Sequence, residues 1–470
     1  MADFSSWKRW ESKYENSWFS CIPGKNGFLP VQEPLFRLPE RYSIINKILD
    51  DMKINRADGT KGYLHQANRS LGSVIDNELP LFDISKEDDV QLIAALQRDY
   101  YFLAAAYSLE TAHPNEGEGN YHKARTTLPK QLAIPLLALS KINKVFPWLD
   151  YAHGYGLNNA VLKNASADPT KWDSYKTIRT FNGCASEEGF INVHVAMVAQ
   201  SGDLLQHQQD TLHNLSLQNR DEFNKSLNNH FLTFTNIIAT LQTMWKASKQ
   251  SDYLSFRTFI MGQMGNKLTY PDETITFVTD EGEETHSYRG ETGAQDSIVP
   301  SVDNFLNLSY PENKLTEYLF QLRAYRPADH QEYINFVGES SKGLKFREYV
   351  FQDSYSCILL LKNLNCLRMF RKKHWNLTKK YIIENTKHPV ATGGTPITTW
   401  LPNQLGATLE YMQEVVDHVN INDLTRDDDK EYFTSLKIEL SDHIQSIMDE
   451  VRNMQRDFDD QAYNSFTKRS

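Results

Sequence analysis

"CILLLKNLNCLRMFRKKHWNLTKKYI", Cys357–Ile382, is the stretch that decides the fold. Leu364, Leu367, Phe370, Arg371, His374, Leu377 and Tyr381 recur every three or four residues, the spacing that puts side chains on one face of a helix. The run belongs to the longest helical segment the periodicity predicts, 343–381. Lys362, Asn363 and Asn365 interrupt its apolar part, so it is not a membrane span.

The same period recurs elsewhere, and alternating strand patterns are scarce. "KEDDVQLIAALQRDYYFLAAAYSLE" (86–110) opens with acidic residues in its first turn, where they meet the positive end of the helix dipole. Further helices are expected around 187–205, 220–247 and 403–420. Loop signals separate them near 113–120, 164–173 and 388–396. The polar stretch 270–290 has a short β-like centre and reads as a small hairpin. The expected fold class is all-α. A boundary near Pro147 divides a smaller, mainly helical N-terminal domain (1–150) from a large helical domain (151–422). A polar linker and an amphipathic C-terminal helix (423–470) follow. In that helix Phe433, Leu436, Leu440, Ile444, Ile447 and Val451 form an apolar stripe expected to pack back on the body.

The 470 residues are 40% hydrophobic and 12% aromatic, enough for a sizeable core, which excludes a disordered chain. The formal charge of -10 argues against nucleic acid as a partner, because phosphate binding calls for a clustered basic face. Four cysteines (Cys21, Cys184, Cys357 and Cys366) form no CxxC pair and suit a reducing compartment. "MADFSSWKRWESKYENSW" has no apolar core of a secretory signal. The expectation is a cytoplasmic monomer with no membrane and no nucleic-acid partner.

Several side chains stand out against this background. His374 ends the basic run "FRKKH" on the long helix. A surface histidine beside cations is the commoner meaning of such a pattern; the functional one is an axial ligand to metal or haem, whose orientation a helix would fix. Arg371, one turn earlier, would then meet an anionic group. Arg257 in "YLSFRTFIMGQ" is either a snorkelling arginine or a carboxylate clamp. "ATGGT" (391–395) is either a plain loop or a cradle whose amides and hydroxyls receive a carboxylate; it lacks the lysine and spacing of a P-loop. His194 in "EEGFINVHVAMV" lies on an otherwise apolar helical stripe, where a satisfied core histidine is the usual finding. "YRGETGAQDSIVP" (288–300) has small residues that let a flat ligand approach the backbone. HExxH, zinc-finger spacing, EF-hand loops, GxSxG and a Rossmann fingerprint are all missing.

In order along the chain, "LPKQLAIPLLALSK", "WLDYAHGYGLNN", "FNGCASEEGFINVHV", "GETGAQDSIVPSVDNF", "LRAYRPADH", "LRMFRKKHWNLTKKYI" and "ATGGT" resemble the indoleamine 2,3-dioxygenase family over roughly 85–420. The resemblance implies haem b with its iron on His374 and a propionate on Arg371. It implies Asp303 as the acidic residue supporting the proximal histidine through water, and Thr292 and Gly293 in a loop over the haem edge. Gly293 would also border the substrate. Arg257 matches the family's substrate-carboxylate arginine, Thr392 the threonine at the amino acid's polar end, and Tyr151 and Phe190 the aromatics of the distal pocket.

Two departures stand out. His194 occupies a position where vertebrate members carry a small hydroxyl residue, and is similar to the distal histidine of tryptophan 2,3-dioxygenases and some microbial members. Before Arg257 the vertebrate aromatic pair is replaced by "SDYLSF", leaving Tyr253 or Phe256 to substitute.

The implied reaction is insertion of both atoms of O2 across the indole C2–C3 bond of L-tryptophan or a close indoleamine, giving N-formylkynurenine on the kynurenine route. An external reductant would serve the iron, and His194 would meet the oxygen or the indole N–H. Two other readings stay open: a haem mono- or dioxygenase of a different indole, and a non-catalytic haem or O2 binder on the same fold.

Overall fold

The computed structural model describes residues 9–13, 17–114, 121–310, 314–385, 392, 394 and 397–440. The chain is mostly helical, as the periodicity predicts, with two small sheets among the described residues. One contiguous apolar core runs from Trp18 to Leu440. The 270–290 stretch forms its hairpin, with Ile275–Val278 antiparallel to Glu283–His286. The parallel strand Thr127–Leu128 adds to its other edge.

Helix boundaries follow local chemistry. Helix Val90–Leu109 starts at Asp89, whose carboxylate accepts from the amides of Gln91 and Leu92. The predicted 343–381 helix is two elements. Lys345 adopts φ +57°, the short helix Phe346–Val350 follows, and Asp353 then caps helix Ser354–Thr378 through the Ser356 amide. A wider turn at Lys379–Ile383 ends it. The 187–205 segment likewise divides at Ala199 and Gln200 into helices Ala185–Val198 and Ser201–Ser216.

Gly189 lets helix Ala185–Val198 lie directly on the backbone of Ala247: a Cβ there would sit 2.0 Å from the Ala247 carbonyl oxygen. Helix Arg220–Gln242, capped by Asn219, packs against both Ala185–Val198 and Ser354–Thr378. Helix Ile397–Asp417 covers the far side of the latter. Residues 427–440 are helical, and Phe433, Leu436 and Leu440 are buried. Lys362–Asp429 (2.8 Å) and Arg368–Glu439 (2.7 Å) ion pairs bind this segment to the long helix, so it packs back on the body. Ile444, Ile447 and Val451 lie outside the described residues.

Helix Val90–Leu109 carries a fully buried Arg98–Asp99 pair, completed by Arg179. Arg179 donates to both Asp99 oxygens (3.0 and 2.7 Å) and to Asn46 (2.7 Å). Burial alone would raise the Asp99 pKa, but Arg179 and Arg98 together hold it below the ordinary carboxylate value. Removing the carboxylate leaves two guanidiniums facing each other without water. Asp99→Ala is therefore expected to cost about 3–5 kcal/mol of folding stability, read as a lowered urea midpoint. A loss below about 1 kcal/mol would contradict the network's role.

Candidate active site

Two helices carry the imidazoles that face a common cleft. Helix Ala185–Val198 contributes His194 and helix Ser354–Thr378 contributes His374. Both line two adjoining chambers, which also share Leu241 and Gly293. The rings are half-buried because the cleft opens onto them. His194 Nδ1 lies 2.9 Å from the Phe190 carbonyl oxygen. A carbonyl only accepts, so Nδ1 carries the proton and Nε2 is an acceptor. That acceptor points toward the joint between the chambers, where a Cβ on Gly293 would sit 3.8 Å from it. Burial lowers the His194 pKa. It lowers that of His374 to about 4, helped by the like charge that His194 would carry. Both rings are neutral near pH 7, as a metal ligand or a hydrogen-bond acceptor must be.

The first chamber has apolar walls, among them Met197, Val299 and Phe370, and a rim of cations: Arg323, Arg326 and Arg371. Arg371 Nη2 binds both oxygens of Asp303 (2.8 and 2.9 Å) and the Tyr310 hydroxyl, while Nη1 donates to Thr408. Arg326 donates to the carbonyls of Ala294 (2.8 Å) and Asp296 (3.0 Å), holding that loop against the chamber. Burial lowers the Arg326 pKa to about 10. Among the described residues, Arg371 Nε and Arg326 Nη1 are buried donors with no partner. An apolar slot with an imidazole on its wall and unused guanidinium donors at its rim fits a flat, metal-bearing group with carboxylate substituents.

The second chamber is aromatic at its base and polar at one end. The Phe190 ring lies 4.8 Å from the His194 ring and 5.4 Å from that of Tyr253, with Phe256 behind it at 6.0 Å. Tyr253 thus lines the chamber where the sequence reading left Tyr253 or Phe256 open. The polar end holds Glu291, Thr292 and Thr392. Thr392 donates to the Glu291 carbonyl (2.5 Å), and its own carbonyl accepts from Asn266 (3.3 Å). The neighbouring Gly394 has φ +86°, and a Cβ there would meet the Met264 carbonyl at 1.9 Å. The glycine in "ATGGT" is therefore required by close backbone packing. Residues 391, 393 and 395 of that motif lie outside the described residues.

Thus His194, Phe190, Gly293, Thr292, Thr392, Asp303, Arg371 and His374 all line the cleft. Tyr151 and Arg257 stand immediately behind its wall. The Tyr151 ring is 5.8 Å from that of His194, and its hydroxyl donates to Asp296 (3.3 Å). Its amide donates to Gln295, whose side chain donates in turn to the Gly290 carbonyl. Arg257 is fully buried, donates to the Tyr121 hydroxyl (2.9 Å) and lies within hydrogen-bonding reach of Tyr253. Arg323, Arg326 and Glu291 were not singled out by sequence. The first two sit in "LRAYRPADH" and the third in "GETGAQ", where an ionisable residue beside turn formers looks like an ordinary loop charge.

The indoleamine 2,3-dioxygenase family model matches residues 20–404. The chain is 25% identical to indoleamine 2,3-dioxygenase nanC of Aspergillus nanangensis over 404 residues, 80% of this chain and 92% of that one. It is 23% identical to indoleamine 2,3-dioxygenase acdA of Aspergillus candidus, covering 82% and 94%. Identity is also 23% with 6-hydroxytryptophan 2,3-dioxygenase fscD of Fusarium equiseti, covering 76% and 82%. The chain belongs to the indoleamine 2,3-dioxygenase family, haem-dependent dioxygenases of indole substrates.

Gly293 gives a direct test of the cleft. Its side-chain direction is open, so Gly293→Leu is expected to change folding stability by no more than about 1 kcal/mol. The added side chain fills the joint between the chambers, so haem binding should weaken roughly tenfold or more, equivalent to about 1.4 kcal/mol. Haem titration followed by the Soret band checks this; unchanged affinity would place haem elsewhere.

Proposed function

We propose that this chain is a haem b enzyme that opens the indole ring of L-tryptophan at C2–C3, giving N-formylkynurenine and committing tryptophan to the kynurenine route. The observation that carries this reading is the pair of neutral imidazoles on separate helices facing one cleft, with cations around one chamber and aromatic rings at the base of the other. His374 would hold the iron. Arg371, with Arg323 and Arg326, would meet the propionates, and Thr292 the macrocycle edge. Asp303 holds Arg371 in place through two hydrogen bonds. When bound, the haem would supply the activation of O2, with an external reductant as its source of electrons.

The chain's own residues bind and orient the substrate. Phe190 and Tyr253 offer faces on which an indole packs, with Tyr151 and Gly293 bounding the same space. Arg257 is the carboxylate clamp, poised behind Tyr253, and Thr392 closes the amino acid's polar end. Positioning of this kind replaces a bimolecular encounter by an oriented one. His194 Nε2, an acceptor by virtue of the Nδ1–H bond to Phe190, takes the indole N–H. Of the two roles left open for it, an unprotonated Nε2 with no hydrogen to give supports the indole N–H. Met197, Leu241 and Leu377 keep water from the reacting face.

A second reading is a ring-opening enzyme for another indole. The Fusarium relative named for 6-hydroxytryptophan supports it, as does the single chamber-lining aromatic, Tyr253, before Arg257. A non-catalytic O2 carrier is disfavoured, because an amino-acid clamp serves no purpose in one.

Haem-loaded, reduced protein in air is expected to convert L-tryptophan to N-formylkynurenine faster than tryptamine, 5-hydroxytryptophan or 6-hydroxytryptophan. Product from one of those and none from L-tryptophan would establish the second reading instead. His374→Ala should lose the Soret band. His194→Ala should keep it, yet lose the preference for L-tryptophan over 1-methyltryptophan, which has no indole N–H.

A further inference from the structure

Glu291 is an acid in an unusual place. It lines the second chamber while being only 3% exposed, with no hydrogen bond to its carboxyl from any described residue. Around it stand the Tyr151 and Tyr155 hydroxyls from segment Tyr151–Tyr155, and that of Tyr253 from helix Gln250–Arg257. The charged group acting on it is Asp150, of the same sign. A structural carboxylate at this depth is normally paired, as Asp99 and Asp303 are in this same molecule. Glu291 instead faces space, at the end of the chamber that holds Thr392.

We propose that Glu291 is a specificity-determining residue that receives the α-ammonium group of the substrate, so that the chamber selects zwitterionic indole amino acids over indoles lacking the amine. The inference rests on the tryptophan reading above and gives its polar end a second half. An α-amino acid places a cation and an anion a few ångströms apart. This end of the chamber offers a carboxylic acid, and the guanidinium of Arg257 lies behind the Tyr253 wall. The ammonium–carboxylate bond is charge-assisted and forms out of water, where it is worth more than at a surface.

Without substrate, burial and then Asp150 push the Glu291 carboxyl up to about 8, so it is protonated at pH 7. An incoming ammonium favours the carboxylate, and the carboxyl proton leaves to solvent as the ion pair forms. Binding of L-tryptophan at pH 7 thus releases up to one proton. The neighbouring phenols keep raised pKa values and do not contribute.

The test uses the haem-loaded protein and its Glu291→Gln variant, with L-tryptophan and indole-3-propionate, which keeps the carboxylate and lacks the amine. Spectral titration should show the variant binding L-tryptophan about tenfold or more weakly, with indole-3-propionate unchanged. Calorimetry in two buffers of different ionisation heat should show proton release with L-tryptophan on the native protein only. Gln keeps the shape of the neutral acid, and an intact Soret band controls for folding. Equal weakening of both ligands, or no weakening of L-tryptophan, overturns the role of Glu291 while leaving the tryptophan reading in place. If the native protein binds neither ligand, that reading falls and this one with it.

Discussion

A hydrogen bond from His230 Nδ1 to Asn363 Oδ1, 2.7 Å long, sets the separation on which the cleft depends. It joins helix Arg220–Gln242 to helix Ser354–Thr378, and Asn363 returns a bond to the Leu227 carbonyl (3.1 Å). The same helix also receives Gln200, two residues past helix Ala185–Val198, at Thr240 (2.9 Å). One helix therefore serves as spacer between the wall that carries His194 and the wall that carries His374. Its Leu241 reaches both chambers. The spacer works only if His230 stays neutral, bonded to amides on both ring nitrogens. Burial ensures this by lowering its pKa to about 3.

Charge is divided across the cleft in a way that burial makes consequential. The first chamber gathers three guanidiniums against two acids, Asp296 and Asp303. The second has an acid whose nearest charged neighbour is another acid. In water such imbalances would be screened within about 10 Å; between apolar walls they act as stated preferences for what enters. An anionic, planar group suits the first chamber, and a group with a cationic arm suits the end of the second. The Arg326 bonds to Ala294 and Asp296 and the Gln295 bonds to Tyr151 and Gly290 tie the intervening loop to both sides, so this polarity is held by a rigid joint.

Much of this was legible in the sequence, for identifiable reasons. The apolar spacing around Cys357–Ile382 gave the helix that carries Arg371 and His374, because side-chain period and backbone period coincide there. Asp353 and the left-handed Lys345 were harder to see, and they are what split the predicted 343–381 helix. Family motifs led to His194, Phe190 and Thr392, all of which line the cleft. Arg257 and Tyr151 lie one layer behind it, a distinction of depth that a linear pattern does not carry. Glu291, Arg323 and Arg326 escaped notice because their meaning comes from burial, and burial of a loop residue is decided by segments distant in sequence. Glu291 is enclosed by residues from 151–155, 253 and 392, none of them near it along the chain.

His194 is better understood through its own helix than through its likeness to other enzymes. A hydroxyl at that position would be free to donate or accept. The imidazole is not, because the Phe190 carbonyl four residues earlier accepts from it and so fixes the Nδ1 proton. Protonating Nε2 as well would require a buried cation, and burial opposes it. Across the neutral range Nε2 of His194 can therefore only accept. An acceptor in that place discriminates among ligands by whether they bring a proton to share, which makes it an instrument of orientation. Proton delivery to oxygen would have to come from elsewhere in the assembled site.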